Sequence, residues 1–278
     1  MNFFCISDLH LELFRESLTE VDWSFIEKWP LATCLILAGD IGSPLLRRDL
    51  LHEFLFRVKK KYGTVFYLPG NHEYYNYDGH TSRAEIEQML QKICIEVNIC
   101  FLLRNSYLFN GIKFVGVTLW THPSEESYLT NTDVSKGKIF TSREEILQLH
   151  HAEYKFLDQE LLHSQKENIP TVVVTHHLPS YQMIHERYKY FKGNDLFASV
   201  TLESLPKEVF PTILYWCAGH THERVVREKG QWEGIIKDLP LTAITNPVGY
   251  RREARVTSVS LETYPLKHET KTKSVDVV

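Results

Sequence analysis

No run of apolar residues in this chain of 278 residues approaches the ~18 that a membrane-spanning helix requires, so we expect no membrane partner. The apolar start, Met1–Ile6, is too short for a secretory signal and has no basic flank. With 43% hydrophobic and 24% charged residues, the composition is that of an ordinary globular protein. The length allows one large domain or two small ones, and we predict a single domain over residues 1–278.

Cysteine is scarce, and neither sign of charge dominates. Three of the five cysteines, Cys5, Cys34 and Cys217, lie inside apolar strand-like runs, which predicts reduced thiols and a cytoplasmic protein. The formal charge of −4 arises from 31 basic and 35 acidic residues without a long block of one sign. This balance does not favour a general nucleic-acid surface, although it leaves a locally basic groove open.

Residues that can bind metal ions follow five apolar runs of the chain. The motifs are Asp8-Leu9-His10 after Phe3–Ile6, Gly39-Asp40 after Cys34–Ala38, Gly70-Asn71-His72-Glu73 after Thr64–Leu68, His176 after Thr171–Thr175, and His220-Thr221-His222 after Ile213–Gly219. Each run is typical of a buried strand. In an α/β fold the ligand site lies at the carboxyl ends of the strands, so we expect these residues to converge there.

The segments between these runs predict an α/β fold. Asp8, Asp40 and Asn71 follow one another at intervals of roughly 30 residues, the length of a βαβ unit, which predicts neighbouring parallel strands. Apolar residues recur at helical spacing after Pro44, and we expect this proline in the first turn of a crossover helix. The segment Leu11–Pro30 is expected to be a loop with a short helix, and its function is not readable from the sequence.

Two capping patterns predict further helices. Ser82 is followed three residues later by a glutamate, and apolar residues then lie on one helical face. Ser142 begins the same pattern, and we expect its helix to reach about Leu162.

The chemistry of the strand-end residues predicts a site for two metal ions. Seven residues are candidate ligands: Asp8, His10, Asp40, Asn71, His176, His220 and His222. Carboxylates with imidazoles suit manganese, iron or zinc, whereas calcium or magnesium alone would call for an oxygen-only set. Seven ligands suffice for two divalent ions if Asp40 bridges them. In Asp8/His10 and His220/His222 the residues are two apart, so extended backbone would direct each pair to one side.

These motifs, in this order, resemble those of the calcineurin-like metallophosphoesterase superfamily. Three further strings, Thr118-Leu119-Trp120, His176–Ser180 and Asn246–Tyr250, are similar to a largely uncharacterised bacterial and phage branch. The resemblance implies an α/β/β/α sandwich with a dinuclear metal site at the strand ends. It implies one ion on Asp8, His10, Asp40 and His222, and a second on Asp40, Asn71, His176 and His220. His72 would contact the phosphoryl group or protonate the leaving oxygen, which makes His72, Asp40 and Asn71 the predicted catalytic residues.

The implied function is hydrolysis of a phosphodiester or small organic phosphate by metal-activated hydroxide. A protein phosphatase is a weaker alternative, because Ile41–Pro44 follow Asp40 where that branch carries Asp-Arg-Gly. A nuclease acting on single-stranded ends would need a basic, aromatic channel. A non-enzymatic scaffold of the same fold is a third alternative, although no ligand is missing here.

Substrate contacts are expected beside the metal motifs. The segment Tyr181–Leu196 is too long for an ordinary turn and follows the His176 strand, so we predict that it faces the substrate. The predicted substrate-binding residues are Tyr74, Tyr75, His177, Arg187 and Arg251. Residues 265–278 are expected to form a frayed tail. The sequence does not predict an oligomeric state.

Overall fold

A computed structural model describes residues 1–76, 79–130, 142–250 and 259–266. Two sheets form its centre. Their strands, in chain order, are β1 (Asn2–Ile6), β2 (Cys34–Ala38), β3 (Val65–Leu68), β4 (Cys100–Phe101), β5 (Asn105–Phe109), β6 (Ile112–Val117), β7 (Thr171–Thr175), β8 (Ile213–Ala218), β9 (Val225–Arg227), β10 (Thr242–Thr245) and β11 (Tyr264–Pro265).

Each sheet has a parallel centre, which brings the strand ends of the metal motifs to one edge. The first sheet has the order β11-β1-β2-β3-β4, with β1 to β4 parallel and β11 antiparallel to β1. The second has the order β5-β6-β7-β8-β10-β9, with β6, β7, β8 and β10 parallel and antiparallel strands at both edges. The predicted parallel neighbours β1, β2 and β3 are confirmed.

Six α-helices and several short 3-10 turns connect the strands in the described parts of the chain. The helices are α1 (Ser24–Glu27), α2 (Arg48–Tyr62), α3 (Arg83–Glu96), α4 (Glu125–Thr130), α5 (Arg143–Lys166) and α6 (Thr201–Ser204). Helix α3 begins with the predicted capping box, in which Ser82 and Glu85 bond each other's backbone N–H. Ser142 likewise accepts from the N–H of Glu145 at the start of α5, and this helix continues to Lys166.

Pro44 does not lie in the first turn of α2, so that prediction is wrong. The helix begins at Arg48, and Pro44 lies in a preceding turn. Arg47 has non-helical backbone angles, φ −143° and ψ 59°. Its guanidinium donates to the carbonyl oxygens of Phe14 and Glu16 at 2.6 and 3.0 Å, and these bonds hold the residue outside the helix.

Alternation along the strands divides the core into layers, as the pleat of a strand requires. Phe3 and Cys5 of β1 pack between the two sheets, together with Phe114 of β6. Phe4 and Ile6 point the other way, into a cluster with the buried face of α2. A third cluster joins the outer face of the second sheet to α5. The fold is therefore the predicted α/β/β/α sandwich.

The last described residues do not form the frayed tail that the sequence predicts. Pro265 pairs with Asn2, and Leu266 is buried, so the frayed tail does not begin at residue 265. Residues 267–278 of that predicted tail lie outside the described residues. The five cysteines are free thiols, and Cys5, Cys34 and Cys217 are buried as expected. Among the described helices, none combines the length and apolarity needed to cross a bilayer.

Candidate metal centre

The five predicted motifs meet at the carboxyl edge of the two sheets. Three groups of side chains bring potential ligand atoms within 4.8 Å of one another: the first is Asp8, His10 and His222, the second is Asp40, His176 and His220, and the third, His10, Asp40 and His72, shares members with both. Six of the seven predicted ligands belong to these groups. The seventh, Asn71, has its Oδ1 3.0 Å from Nε2 of His176.

Five of the seven candidate ligand residues have a left-handed backbone, which the sequence did not predict. Asp8, His10, Asp40, His220 and His222 have φ of 56°, 53°, 54°, 74° and 52°. Such values are uncommon outside glycine and concentrate at functional sites. The expectation that extended backbone aligns the two residue pairs is therefore wrong. A hydrogen bond to another strand end stabilises the turn at His10 instead, because its N–H donates to the carbonyl oxygen of Asp40 at 2.9 Å.

The first group surrounds a point between Asp8, His10 and His222. Nε2 of His222 lies 2.9 Å from Nε2 of His10 and 3.6 Å from Oδ1 of Asp8. The Asp8 carboxylate accepts from the backbone N–H of His220 at 3.0 and 3.1 Å and from the Ser7 hydroxyl. These bonds orient the carboxylate before any ion binds.

The second group is centred on the contact between Asp40 and His176. Oδ2 of Asp40 lies 3.3 Å from Nε2 of His176 and 3.9 Å from Nε2 of His10, so this oxygen lies between the two groups. Nδ1 of His176 donates to the carbonyl oxygen of Ala38 at 2.9 Å, which directs Nε2 toward Asp40. The backbone N–H of His72 donates to Oδ1 of Asp40 at 2.8 Å.

These residues fit two divalent ions in both spacing and chemistry. Ligand atoms that share an ion through bonds of about 2 Å lie about 3 to 4 Å apart, and the separations here fall close to that range. Burial opposes ionisation of Asp40, but the adjacent His176 and His72 hold the pKa of its carboxyl well below the usual range. A charged carboxylate among imidazoles is a set that manganese, iron and zinc accept.

Glu73 supports the site from behind, a role that the sequence did not predict. Its buried carboxylate accepts five hydrogen bonds: from the N–H groups of Asp40, Ile41, Gly42 and Gly70 at 3.0, 2.7, 3.2 and 2.7 Å, and from the Tyr67 hydroxyl at 2.9 Å. Burial raises the pKa of Glu73 to about 7, and the negative charge of Asp40 adds to the shift. Glu73 thereby fixes the loops that follow β2 and β3. The feature of the sequence that could have indicated this role is the position of Glu73 directly after His72.

Glu12 is a further supporting residue, and the sequence did not single it out. Its Oε1 lies 3.0 Å from Nδ1 of His10 and 2.9 Å from Nδ1 of His72. Burial favours the neutral acid, but hydrogen bonds from both histidines lower the pKa of Glu12 to about 2. Glu12 lies in the 3-10 turn Leu11–Leu13, within the segment Leu11–Pro30 whose function was not readable. Its position two residues after His10 was the only signal.

A cavity of about 350 Å³ opens over the candidate ligands. Its lining residues are Asp40, Asn71, His72, Ile184, His185, Tyr188, Phe191, Asn194, Phe197, His220, Thr221, His222 and Tyr250. Five of them belong to the segment Tyr181–Leu196, which forms three short 3-10 turns at its beginning, middle and end. Tyr250 was not predicted as a site residue, and its hydroxyl lies 3.4 Å from Nε2 of His72.

The two tyrosines after Glu73 point in different directions. Tyr74 is buried against Trp120, with ring centroids 5.7 Å apart, and its hydroxyl donates to Glu87. It contributes to the core and not to the cavity wall, contrary to the prediction. Tyr75 stacks on His72 at 4.2 Å and accepts from Nδ2 of Asn71 at 3.1 Å. Tyr75 therefore buttresses two site residues without lining the cavity.

His177 and Arg187, two of the remaining predicted substrate-binding residues, also lie away from the cavity lining. His177 is buried, with Nδ1 3.2 Å from the carbonyl oxygen of Thr118, and burial with the nearby His176 lowers its pKa to about 3. Arg187 is exposed, and its guanidinium lies 3.3 Å from Glu223. Arg251 lies outside the described residues.

Comparison with known proteins identifies the family of this chain. The sequence pattern of the calcineurin-like phosphoesterase family matches residues 1–224, so this chain belongs to that family. "Uncharacterized protein L509" of Acanthamoeba polyphaga mimivirus is 27% identical over 278 residues, covering 89% of this chain and 91% of that protein. This viral relative is loosely consistent with the bacterial and phage branch.

A solved structure shares this fold. The crystal structure of phosphopantetheinyl hydrolase (PptH) from Mycobacterium tuberculosis superposes with a TM-score of 0.66 and 16% identity, covering 95% of each chain. At this identity the likeness concerns the fold alone. A dimetal phosphatase from Danio rerio aligns with a TM-score of 0.46 and 15% identity over 88% of this chain and 87% of its own. That score is too low to support a statement about this chain.

Proposed function

We propose that this chain is a phosphohydrolase that depends on two divalent metal ions and cleaves a phosphodiester or a small organic phosphate. The observation that carries this proposal is the position of Asp40. One of its oxygens, Oδ2, lies 3.9 Å from His10 of the first ligand group and 3.3 Å from His176 of the second. A carboxylate in that position is suited to bridge two ions, and paired ions are the usual means of promoting in-line displacement at phosphorus.

The negative charge of the ligand residues is smaller than the positive charge of two divalent ions, which favours an anionic substrate. When bound, two divalent ions would supply positive charge against the phosphoryl oxygens and lower the pKa of water. Asp8 and Asp40 would balance only part of that charge, and Asn71, whose Oδ1 lies beside Nε2 of His176, would contribute a neutral amide. The site would therefore keep a positive balance and attract phosphate.

His72 is the residue best placed to act on the leaving group. It lines the cavity, and its backbone N–H is tied to Asp40 at 2.8 Å, so the ring is held beside the ligand groups. Nδ1 faces Glu12, whereas Nε2 is the atom near the Tyr250 hydroxyl. Proton transfer from Nε2 to the leaving oxygen is the role that we assign to it.

The cavity wall favours a substituent with apolar or aromatic character. Tyr188, Phe191 and Phe197 form one side, and the ring of Phe197 lies 4.9 Å from that of His220. The segment Tyr181–Leu196 carries three lysine and arginine side chains, Arg187, Lys189 and Lys192. Arg187 and Lys189 lie 3.3 and 3.7 Å from Glu223 and Glu186. Because these ion pairs offset two of the three charges, the segment offers a poor channel for a nucleic-acid backbone.

Protein phosphatase activity receives no support from the loop after Asp40. The N–H groups of Ile41 and Gly42 are bonded to Glu73. Arg47, the first arginine after them, directs its guanidinium to Phe14 and Glu16, away from the cavity. We therefore propose a small phosphate ester as the substrate.

Turnover of generic substrates tests this proposal. The purified chain is stripped with chelator, reloaded with Mn²⁺, Fe²⁺ or Zn²⁺, and assayed with bis-p-nitrophenyl phosphate and p-nitrophenyl phosphate. We expect turnover that requires metal and is lost in Asp40→Asn but kept in Asp49→Asn, which alters an exposed carboxylate on α2. Absence of metal-dependent turnover of either ester would refute the proposed function.

A further inference from the structure

Glu12 joins two histidines that serve different steps of the proposed reaction. A single carboxylate oxygen, Oε1, lies 3.0 Å from Nδ1 of His10 and 2.9 Å from Nδ1 of His72. The side chain of Glu12 is 3% exposed, and the two imidazole rings are 4.4 Å apart. We propose that Glu12 is a positioning residue that orients His10 for metal binding and His72 for leaving-group protonation. This inference rests on the proposed function.

The hydrogen bonds to Glu12 fix which nitrogen of each imidazole ring carries the proton and which faces the site. A carboxylate that is ionised can only accept, so each Nδ1 must carry the proton and donate it to Glu12. The other ring nitrogens then face the site: Nε2 of His10 lies 2.9 Å from Nε2 of His222, and Nε2 of His72 lies 3.4 Å from the Tyr250 hydroxyl. Carboxylates that hold the second nitrogen of a histidine are a common means of orienting metal ligands.

The position of Glu12 in the fold makes it rigid. The 3-10 turn Leu11–Leu13 follows His10 directly, and the N–H of Leu11 donates to the carbonyl oxygen of Ile41 at 2.9 Å. Leu11 is fully buried in the helix-side core. Because Leu11 anchors the turn through both its backbone and its side chain, Glu12 can hold two rings without losing side-chain freedom at the moment of reaction.

The consequence for the chemical step concerns one proton. As the new bond from hydroxide to phosphorus forms, the bond from phosphorus to the leaving oxygen breaks, and its electron pair stays on that oxygen. His72 gives the proton on Nε2 to this oxygen and keeps the proton on Nδ1 against Glu12. A misoriented ring would slow this transfer most for poor leaving groups, since good ones depart with little protonation.

Glu12→Gln is the variant that separates positioning from folding. Glutamine has nearly the same shape, but it lacks the negative charge and its amide can donate as well as accept, so it no longer fixes the orientation of both rings. We expect Mn²⁺ affinity, measured by calorimetry on stripped protein, to fall about 10 to 100-fold through His10. The control is Glu96→Gln, which removes an exposed carboxylate paired with Arg48 at 2.9 Å. Equal Mn²⁺ affinity in Glu12→Gln and the parent would overturn the proposal, and this readout does not depend on turnover.

The second readout is the leaving-group dependence of kcat. In Glu12→Gln saturated with metal, we expect kcat for an alkyl phosphodiester to fall at least about 10-fold more than kcat for a nitrophenyl diester. In a His72→Ala background, Glu12→Gln should no longer change that ratio. Equal losses for both esters would contradict the link to His72. A parent enzyme without any turnover would refute the proposed function instead, and the Mn²⁺ comparison would still decide whether Glu12 acts through His10.

Discussion

The backbone N–H of Asp40 donates to the carboxylate of Glu73 at 3.0 Å, which ties the end of β2 to the turn after β3. The same carboxylate also bonds the two residues that follow Asp40 and the glycine that precedes Asn71. A buried acceptor with several backbone partners orders both loops at once. The candidate ligands Asp40 and Asn71 therefore owe their relative position to Glu73, which is not a ligand itself.

Replacing Glu73 should destabilise the metal-free protein. In Glu73→Ala, four buried backbone N–H groups lose their acceptor, and we expect a loss of about 2 to 4 kcal/mol in the free energy of unfolding. Urea unfolding in the presence of chelator measures it, with Glu96→Ala as the exposed control. An unfolding midpoint equal to that of the control would show that other groups hold these loops.

His72→Ala should keep both metal ions and lose most turnover. His72 adjoins the ligand Asn71, but its Nδ1 is directed at Glu12 and its ring stacks on Tyr75. Loss of a proton donor typically costs ~10² to 10⁴-fold in rate. Elemental analysis and a diester assay on the same preparation provide the measurement. A metal-free variant, or one as active as the parent, would assign His72 a different role.

Stability should depend on pH through Glu153, which is fully buried and is not a candidate ligand. Its carboxylate accepts from the N–H of Trp120 at 3.1 Å, and Arg104 lies 3.7 Å away. Burial raises the pKa of Glu153 from 4.5 to about 7 despite these partners. The folded protein thus holds this proton more tightly than the unfolded chain, so stability falls as pH rises from about 4.5 to about 7.

Glu153→Gln, which is neutral at every pH, tests this dependence. We expect the variant to match the parent at pH 5 and to exceed its free energy of unfolding by about 1 to 3 kcal/mol at pH 8. Urea unfolding at both values provides the comparison. The same difference at pH 5 and pH 8 would mean that ionisation of Glu153 does not cause it.

The aromatic wall should determine affinity for bulky esters. Phe191→Ala removes a side chain that lines the cavity and is 55% exposed, so the fold should tolerate the change. We expect KM for an aryl phosphodiester to rise about 3 to 10-fold with kcat nearly unchanged, because the lost contact is remote from the reacting atoms. Tyr190→Ala is the matched control, since Tyr190 is 88% exposed and does not line the cavity. Equal KM values for both variants would exclude Phe191 from recognition.

The sequence predicts the sheets and the ligand cluster well because both follow from local patterns. Apolar runs that end in Asp, Asn or His specify strand ends, and parallel pairing then brings Asp8, Asp40 and Asn71 to one edge. Family resemblance adds the division of ligands between two ions, which spacing alone does not supply.

The supporting residues could not be predicted because their partners are distant in the chain. Glu12 bonds His72 across 60 residues, and no local pattern marks such a pair. Tyr74 and Tyr75 are adjacent, yet the 3-10 turn His72–Tyr74 buries the first and lays the second on His72. Asp8 and Asp40, which have left-handed angles, likewise donate their backbone N–H groups to residues distant in the chain, Gly39 and Glu73.

Counting bound ions in two variants tests the central claim, that Asp40 is shared between two metal sites. The parent, Asp8→Asn and Asp40→Asn are dialysed against Mn²⁺, freed of unbound metal and analysed for manganese per chain. We predict about two ions in the parent, about one in Asp8→Asn and close to none in Asp40→Asn, because the loss of a bridging charge weakens both sites. Equal loss of one ion in both variants would contradict a bridging role for Asp40, and fewer than two ions in the parent would contradict the two-metal site itself.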